Sequence, residues 1–213
     1  MRFATFLVLP IILTACGGAG DSAVANSVAS AGAAEAGAFS ELVSLDGDFV
    51  WTPDYAASAV TFSAEQEGSI FEGRFDSFRA AIRLNPDNLG DAEIHAIIDM
   101  ASVDAGDDDR NSSLPTNDWF RTRSFPTATF RSSAVSERPD GTYEAAGELT
   151  IKGVSRPVTL PFELEIDGNM ASASGSISLD RTDFNVGEGA YADDAWIGYT
   201  VDVSVTVTAS RQD

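Results

Sequence analysis

The sequence predicts an all-β domain of antiparallel strands, and three observations support this prediction. Segments in which apolar and polar residues alternate recur through most of the chain, which is typical of strands with one buried face. Turn residues separate several of these segments, as at Asn85-Pro86-Asp87-Asn88 and Lys152-Gly153. A single stretch between the strands has helical character. The pattern indicates a meander that closes as a barrel or stacks as a sandwich, and periodicity does not choose between them.

The composition fits one well-packed domain and excludes some classes of function. The chain has 213 residues, 44% of them hydrophobic and 13 of them phenylalanine, which is too apolar for a disordered chain. One barrel of this length is ordinary, so a second domain is not required. The formal net charge of −20 repels phosphate backbones, and nucleic-acid binding is therefore not expected.

The first 16 residues resemble the signal peptide of a bacterial lipoprotein. Arg2 provides a positive start, and the apolar run that follows, residues 3–13, is too short to span a bilayer. Leu13-Thr14-Ala15-Cys16 is similar to a lipobox, whose cysteine is lipidated and becomes the first mature residue. The alternative is an ordinary signal with an incidental cysteine. Cys16 is the only cysteine, so no intramolecular disulfide can form.

The lipobox resemblance implies a location in the bacterial cell envelope. Gly17 rather than aspartate follows the cysteine, which by analogy favours a periplasm-facing lipoprotein of the outer membrane, held there by its acyl chains. Residues 17–44 are mostly alanine, glycine and serine and predict a flexible tether, with an alanine-rich helix as the alternative. The folded domain is expected over residues 45–210.

The first half of that domain contains three alternating segments. His95 and Asp99 lie on the polar face of the third segment, so His95 is predicted to be a solvated surface residue rather than a general base. The predicted inward faces carry Val60 and Phe62; Phe71, Gly73 and Phe75; and Ile94, Ala96, Ile98 and Met100.

The helical stretch follows these strands, at residues 102–120. Its aspartates suit the start of a short helix, because their charge complements the helix dipole. Pro115 is expected to end that helix, and Thr116-Asn117-Asp118 to form a turn. Trp119 and Phe120 then need an apolar environment, and the open end of a barrel would provide one.

The second half contains the most regular alternation in the chain. Residues 143–151 and 158–166 are predicted as a hairpin around Lys152-Gly153, where glycine permits the positive φ of a tight turn. The inward faces carry Ala128, Phe130, Ser132 and Ala134; Tyr143, Ala145, Gly147, Leu149 and Ile151; Val158, Leu160, Phe162, Leu164 and Ile166; Ala171, Ala173, Gly175, Ile177 and Leu179; and Ile197, Tyr199, Val201, Val203, Val205 and Val207.

Four ordered motifs resemble one known family. The segment LTIKGVSRPVTLPF at 149–162 is similar to the signature of the YceI-like, lipocalin-like polyisoprenoid-binding proteins, and segments 49–78, 118–133 and 179–189 resemble its beginning, middle and end. The likeness covers roughly residues 47–210. The chain departs from the family where Ala57-Ser58 and Gln66-Glu67 replace usual histidines, so no role of those histidines transfers here.

The resemblance decides between barrel and sandwich. It implies an antiparallel up-and-down, eight-stranded lipocalin-like barrel with one or two short helices and a further strand over residues 78–84. A barrel of eight strands can hold one small ligand.

Catalytic and metal-binding signals are weak. His95 is the only histidine, Cys16 is reserved for lipidation, and no G-x-S-x-G motif occurs, so nucleophilic catalysis is not expected. The acidic run Asp104, Asp107, Asp108 and Asp109 does not match an EF-hand loop and is better explained as a helix start. We therefore expect no enzyme, no metal site and no cofactor.

With catalysis and metal binding not expected, binding of an apolar ligand in the interior is the remaining function to consider. From the residues alone, the inward aromatic side chains fit an ordinary core as well as a pocket. The family resemblance implies an elongated cavity for an isoprenoid chain, with Arg110 and Asp118 near its polar head. The side chains predicted to line it are Phe62, Phe71, Phe75, Trp119, Phe120, Phe130, Phe162 and Tyr199.

The sequence therefore predicts an envelope protein that binds a long-chain amphiphile for storage or transport. The cargo would be a polyisoprenoid, an isoprenoid quinone or a similar lipid. One alternative, implied by relatives found beside cytochrome b561-type proteins, is a redox accessory to such a membrane partner. The other is a carbohydrate-binding or structural β-module, for which a filled interior is expected.

Overall fold

Eight antiparallel strands run up and down around a closed barrel in the computed structural model, which describes residues 42–211. The predicted signal peptide with Cys16, and the predicted tether up to residue 41, lie outside the described residues. The bounds of the tether and the domain therefore stay predictions.

The barrel is built from eleven β segments and one short α-helix, α1 (Asp108–Ser113). Four 3-10 turns lie between the strands, at Leu89–Asp91, Met100–Ser102, Arg181–Phe184 and Gly189–Tyr191. The strands are β1 (Val50–Pro53), β2 (Ala59–Gln66), β3 (Ser69–Phe75), β4 (Phe78–Arg83), β5 (Glu93–Asp99), β6 (Val103–Asp104), β7 (Thr127–Glu137), β8 (Tyr143–Ile151), β9 (Val154–Asp167), β10 (Met170–Asp180) and β11 (Ile197–Ser210).

Three of the eight strands are interrupted, which explains the eleven segments. β1 and β2 both pair with β11 and act as one broken strand, while β3 with β4 and β5 with β6 form the next two. Every pairing is antiparallel, and β1 closes the ring because it pairs with both β4 and β11. The predicted eight-stranded antiparallel barrel is thus confirmed.

The hairpin between β8 and β9 forms as predicted. Its two turn residues, Lys152 and Gly153, have φ values of 51° and 75°, and Ile151 pairs directly with Val154 across it. Two consecutive positive φ angles are the geometry that matches the twist of a hairpin.

Helix α1 also begins where the aspartates indicated. The Asp107 side chain accepts hydrogen bonds from the backbone N–H groups of Asp109 and Arg110, at 3.0 and 3.2 Å. These contacts satisfy two of the donors that a helix start leaves free. The helix ends at Ser113, two residues before Pro115.

The predicted side-chain environments of Ala134 and His95 are wrong. A β-bulge between Ser132 and Ala134 changes which side chains point inward, so Ala134 is exposed and Val135 is buried. His95 is only 1% exposed rather than solvated. Its Nδ1 accepts a hydrogen bond from the backbone N–H of Val43 at 3.2 Å, and strand periodicity cannot reveal a contact with so distant a segment.

The two ends of the barrel differ. At the helix end lie α1, the β2–β3 and β8–β9 turns and the β10–β11 connection, around a buried cluster that includes Phe62, Trp119 and Phe184. At the terminal end lie residues 42–49, the β9–β10 turn and Arg211, near a second cluster with Trp51 and Phe162. Between residues 42 and 211, no helix has the length and apolar character needed to cross a bilayer.

Candidate functional site

The barrel encloses a cavity of about 210 Å³. Its lining comes from the inward faces of the strands, because alternation along each strand points every second side chain to the barrel axis. Among the described residues, the side chains that face this cavity are almost all aliphatic or aromatic, and Ser174, which also borders it, is exposed on the outer face of β10. Two small inward residues of β10, Ala171 and Ala173, also line this space.

A second cavity, of about 150 Å³, lies nearer the helix end. Arg181 is the only lining residue of this cavity with a charged side chain. The two cavities adjoin, because five aliphatic residues from five strands line both of them. We call this set the belt: Val60, Ile98, Leu149, Leu179 and Val203.

An open groove of about 710 Å³ continues from the second cavity at the helix end. It lies between the β2–β3 hairpin and α1, and its lining is mixed, with Ile70 and Tyr191 beside Gln66 and Arg110. Phe71, Leu114, Trp119 and Ile197 line both the groove and the second cavity. The molecule thus presents an apolar interior that leads toward a polar mouth.

Most of the aromatic residues predicted from the sequence meet around these spaces. Phe130 and Phe162 line the larger cavity. The second cavity is lined by Phe62, Phe71, Phe75, Trp119 and Phe120.

Tyr199 does not line either cavity. Its side chain is 37% exposed, and the Arg181 guanidinium lies 5.6 Å from its ring centre. The pairing of β11 with β2 is irregular between Ile197 and Val201, so the inward alternation of β11 is interrupted at this residue.

The two predicted head-group residues occupy different places. Arg110 lines the groove, where its Nη1 donates to Gln66 Oε1 at 3.0 Å and its guanidinium lies 4.6 Å from the Phe71 ring centre. Asp118 is exposed and lines neither the cavities nor the groove. Its backbone carbonyl instead accepts hydrogen bonds from the N–H groups of Gly187 and Glu188, both at 2.8 Å.

The sequence reasoning missed two buried cations that hold the helix end together. Lys152 Nζ donates to the Asn185 carbonyl at 2.6 Å and to the Glu188 carboxylate at 2.7 Å. Arg181 donates to five backbone carbonyls, those of Val186, Gly187, Asp193, Ile197 and Gly198. Burial lowers the pKa of the Arg181 guanidinium from its ordinary value, an effect that nearby Asp180 opposes.

These contacts unite the motifs that are far apart in the sequence. Lys152 comes from the β8–β9 turn, Arg181 from the segment after β10, and Asp118 and Trp119 from the stretch after α1. The signal that could have identified the two cations is their position inside these motifs, at the ends of strongly predicted strands.

The chemistry of the site is that of apolar burial. Among residues 42–211, no group of three or more histidine, cysteine, aspartate or glutamate side chains is placed to hold a metal ion. The enclosed surface can remove an apolar chain from water, while the groove can hold a polar group.

Comparison with known sequences identifies relatives across the barrel. The family model for the YceI-like domain matches residues 51–209. A UPF0312 protein of Vibrio vulnificus (strain YJ016) is 28% identical over 156 residues, covering 68% of this chain and 82% of that protein. A UPF0312 protein of Shewanella denitrificans is 27% identical over 146 residues, covering 65% and 76%.

Solved structures show the same architecture. BcnA of Burkholderia cenocepacia superposes with a TM-score of 0.72 and 31% identity, covering 75% of this chain and all of that one (100%). A polyisoprenoid-binding domain of Saccharophagus degradans, implicated in plant cell wall breakdown, has a TM-score of 0.59 and 16% identity, covering 77% and 99%. At that identity, the second likeness shows the fold alone.

Proposed function

This chain belongs to the YceI-like domain family, and on that premise we propose that it binds a long-chain amphiphile inside its barrel. The cargo would be a polyisoprenoid, an isoprenoid quinone or a similar lipid, held for storage or transport. We propose no catalytic role for the barrel, since binding of such a chain requires only burial and a mouth for the polar head.

The observation that supports this proposal is the nearly unbroken apolar lining of two adjoining cavities. An apolar chain gains about 0.8 kcal/mol for each CH₂ group removed from water. Affinity would therefore come from the length of the chain and needs no charged partner. The Saccharophagus degradans neighbour, named as a polyisoprenoid-binding domain, has the same fold. A structural β-module would instead be expected to fill its interior.

Lipid recovery tests the proposal directly. The purified protein is extracted with organic solvent and analysed by mass spectrometry, and uptake of a fluorescent prenyl probe is measured in parallel. We expect a co-purifying amphiphile or saturable uptake of the probe. Repeated absence of both would contradict the proposal.

A pair of variants on β10 shows whether the ligand lies inside the barrel. Ala173 lines the larger cavity, whereas its neighbour Ser172 is exposed on the outer face. Ala173→Phe should fill part of the cavity and weaken probe binding at least about tenfold, because a ring displaces several buried CH₂ groups. Ser172→Phe adds the same ring outside and should leave binding unchanged. Equal effects would exclude an internal site.

We also propose that the protein is an envelope lipoprotein anchored through Cys16. The support is the resemblance of residues 1–16 to a lipoprotein signal peptide. A Cys16→Ser variant should lose its partition into the membrane fraction, measured by fractionation and immunoblotting. Equal membrane binding of the variant and the wild type would refute the anchor.

A further inference from the structure

Trp119 carries an indole N–H group without an acceptor. Its side chain is 8% exposed, and within the described residues its Nε1 has no hydrogen-bond partner. Trp51, which is also buried, donates from Nε1 to the Leu84 carbonyl at 2.9 Å. A buried donor left unpaired costs about 1–3 kcal/mol, and a buried tryptophan N–H usually has an acceptor. An acceptor supplied by a ligand would remove that cost.

The position of Trp119 relates this N–H group to the proposed ligand. The indole lines both the second cavity and the groove. A chain that lies in the cavities with its head in the groove must therefore pass this ring. The indole therefore lies where the apolar lining of the second cavity meets the mixed lining of the groove.

The charges around the groove indicate which heads fit. Among the described residues, its lining contains three carboxylates, those of Glu67, Asp107 and Asp109, and one cation, Arg110. Arg110 is already engaged, since its Nε donates to the Ala105 carbonyl and its Nη1 to Gln66, both at 3.0 Å. A phosphate head would meet more negative than positive charge there.

We propose that the head group held at the helix end is uncharged and accepts a hydrogen bond from Trp119 Nε1. An alcohol or a carbonyl meets this requirement, whereas a phosphate or diphosphate is disfavoured. This inference rests on the proposed function, because it specifies the head of the same amphiphile.

Three ligands with one carbon skeleton test the head-group preference: phytane without a polar head, phytol with a hydroxyl, and phytyl phosphate. Their affinities are measured by competition with a fluorescent prenyl probe. Wild-type protein should bind phytol more tightly than phytyl phosphate. Trp119→Phe should weaken phytol binding about five- to tenfold, the effect of one hydrogen bond, and change phytane binding little. An equal loss for phytol and phytane would show a packing role and overturn the inference.

Indole resonances give a test that requires no change at Trp119. The chain has three tryptophans, so nuclear magnetic resonance of the wild-type protein should show three indole N–H signals. Phytol should shift the Trp119 proton downfield in a way that phytane does not, whereas Trp51, already bonded to Leu84, should respond alike to both. Identical Trp119 shifts with the two ligands would overturn the hydrogen bond.

Charge variants test the exclusion of phosphate. Glu67→Gln with Asp109→Asn should raise phytyl phosphate affinity about two- to fivefold relative to phytol affinity, as expected for exposed charges. Glu163→Gln with Glu165→Gln removes the same charge from the outer face of β9 and is the matched control. Tighter binding of phytyl phosphate than of phytol by the wild type would overturn this inference alone. Failure of all three ligands to bind would overturn the proposed function with it.

Discussion

Lys152 and Arg181 show how single charged residues stabilise the helix end of the barrel. The Lys152 side chain is 4% exposed, yet its ammonium group is bonded to a carbonyl and a carboxylate. Arg181 bonds only to backbone carbonyls in the described network. Both cations therefore replace their lost hydration with fixed acceptors that lie mainly in the connection between β10 and β11 and at the start of β11.

Replacement of Lys152 should destabilise the barrel. We expect Lys152→Met to lower the free energy of unfolding by about 2–3 kcal/mol, because the buried ammonium group loses its hydrogen bonds to the carbonyls of Asn185 and Asp118 and to the Glu188 carboxylate. Glu188→Gln should cost less than about 1 kcal/mol, since the Glu188 side chain is 55% exposed. Urea unfolding followed by circular dichroism measures both values. Equal losses would contradict a role for the backbone contact.

The Asp104 carboxylate should stabilise the barrel at neutral pH and lose this effect at acid pH. A hydrogen bond from the Gly106 backbone, and a second from the Asn111 side chain, lower the pKa of its carboxyl group. The carboxylate therefore contributes stability above the unfolded pKa of about 3.9, and this contribution is lost as the pH falls through the lower folded value. Asp104→Asn should have a lower melting temperature than the wild type at neutral pH. The difference in melting temperature should disappear below about pH 4. Calorimetry from neutral to acid pH measures both melting temperatures. A difference that does not change with pH would refute the role of the Asp104 carboxylate.

The environment of a residue was predictable when it depended on that residue's own strand and not on segments distant in the sequence. Phe62 and Phe162 were identified as inward because alternation along one strand is enough to place them. His95 was assigned to the outer face correctly, but its burial was not predicted, because its cover includes Val43, which is remote in the sequence. Trp119 was expected at a barrel end, but the missing acceptor of its N–H group is visible only in three dimensions.

At the scale of strands, inward glycines lie against phenylalanine rings on neighbouring strands. Gly73 pairs with Phe62, and Gly175 pairs with Phe162. A Cβ atom at Gly175 would lie 2.5 Å from the Pro161 carbonyl oxygen and 2.9 Å from Phe162 Cβ. Gly175 thus permits close contact between β9 and β10.

A glycine on β8 provides the test of this packing. A Cβ atom at Gly147 would overlap the Arg131 carbonyl oxygen and lie 2.9 Å from Phe130 Cε2. Gly147→Ala should therefore lower the free energy of unfolding by about 1–3 kcal/mol, the usual cost of overpacking. Gly198→Ala is the control, because the nearest atom to its Cβ would be 3.4 Å away. Similar unfolding curves for both variants in urea would contradict the steric argument.

Strands were predictable because burial of one face imposes a period of two residues. The alternation of β10 persists without a break in the barrel, and the turn at Lys152-Gly153 forms as predicted. The bulge in β7 was not predictable, since Ser132, Ser133 and Ala134 carry no signal that specifies which residue is extra. The break between β3 and β4 was not predictable either, because β3 pairs with β2 and β6 whereas β4 pairs with β1 and β5.

At the scale of the whole molecule, the belt divides one interior into two cavities. Its five residues come from β2, β5, β8, β10 and β11, so the belt forms only once the barrel closes. A long chain that fills both cavities must pass through it.

A larger residue in the belt should limit the length of the bound chain. Leu149→Trp narrows the junction, so we expect about tenfold weaker binding of geranylgeraniol, because each CH₂ kept in water costs about 0.8 kcal/mol. The shorter geraniol should be little affected. Glu148→Trp, on the outward-facing neighbour, should bind both alcohols as the wild type does. Competition binding measures the series, and equal weakening of short and long alcohols would contradict a barrier at the belt.

Closure of the barrel and its internal space could not be derived from periodicity. The ring closes through the short strand β1, which pairs with β4 and β11 over few residues. Alternation predicts which side chains point inward but not how far apart opposite walls stand. The resemblance of the motifs to a known family allowed a barrel to be chosen over a sandwich. The known fold of that family includes the pairing of distant strands, which a single sequence does not show.

The end of β11 and the groove lie on opposite sides of the barrel, and this placement determines how the protein can be attached to a surface. Ser210 at the end of β11 pairs with Thr52 and Met170, whereas Ile197 at the start of β11 lines the groove. The intervening strand rises by about 3.3 Å per residue, so the two sites lie at opposite rims. A sensor chip coupled through Met170→Cys would leave the mouth facing the flowing solution, and loading rates measured there would not be obstructed by the support.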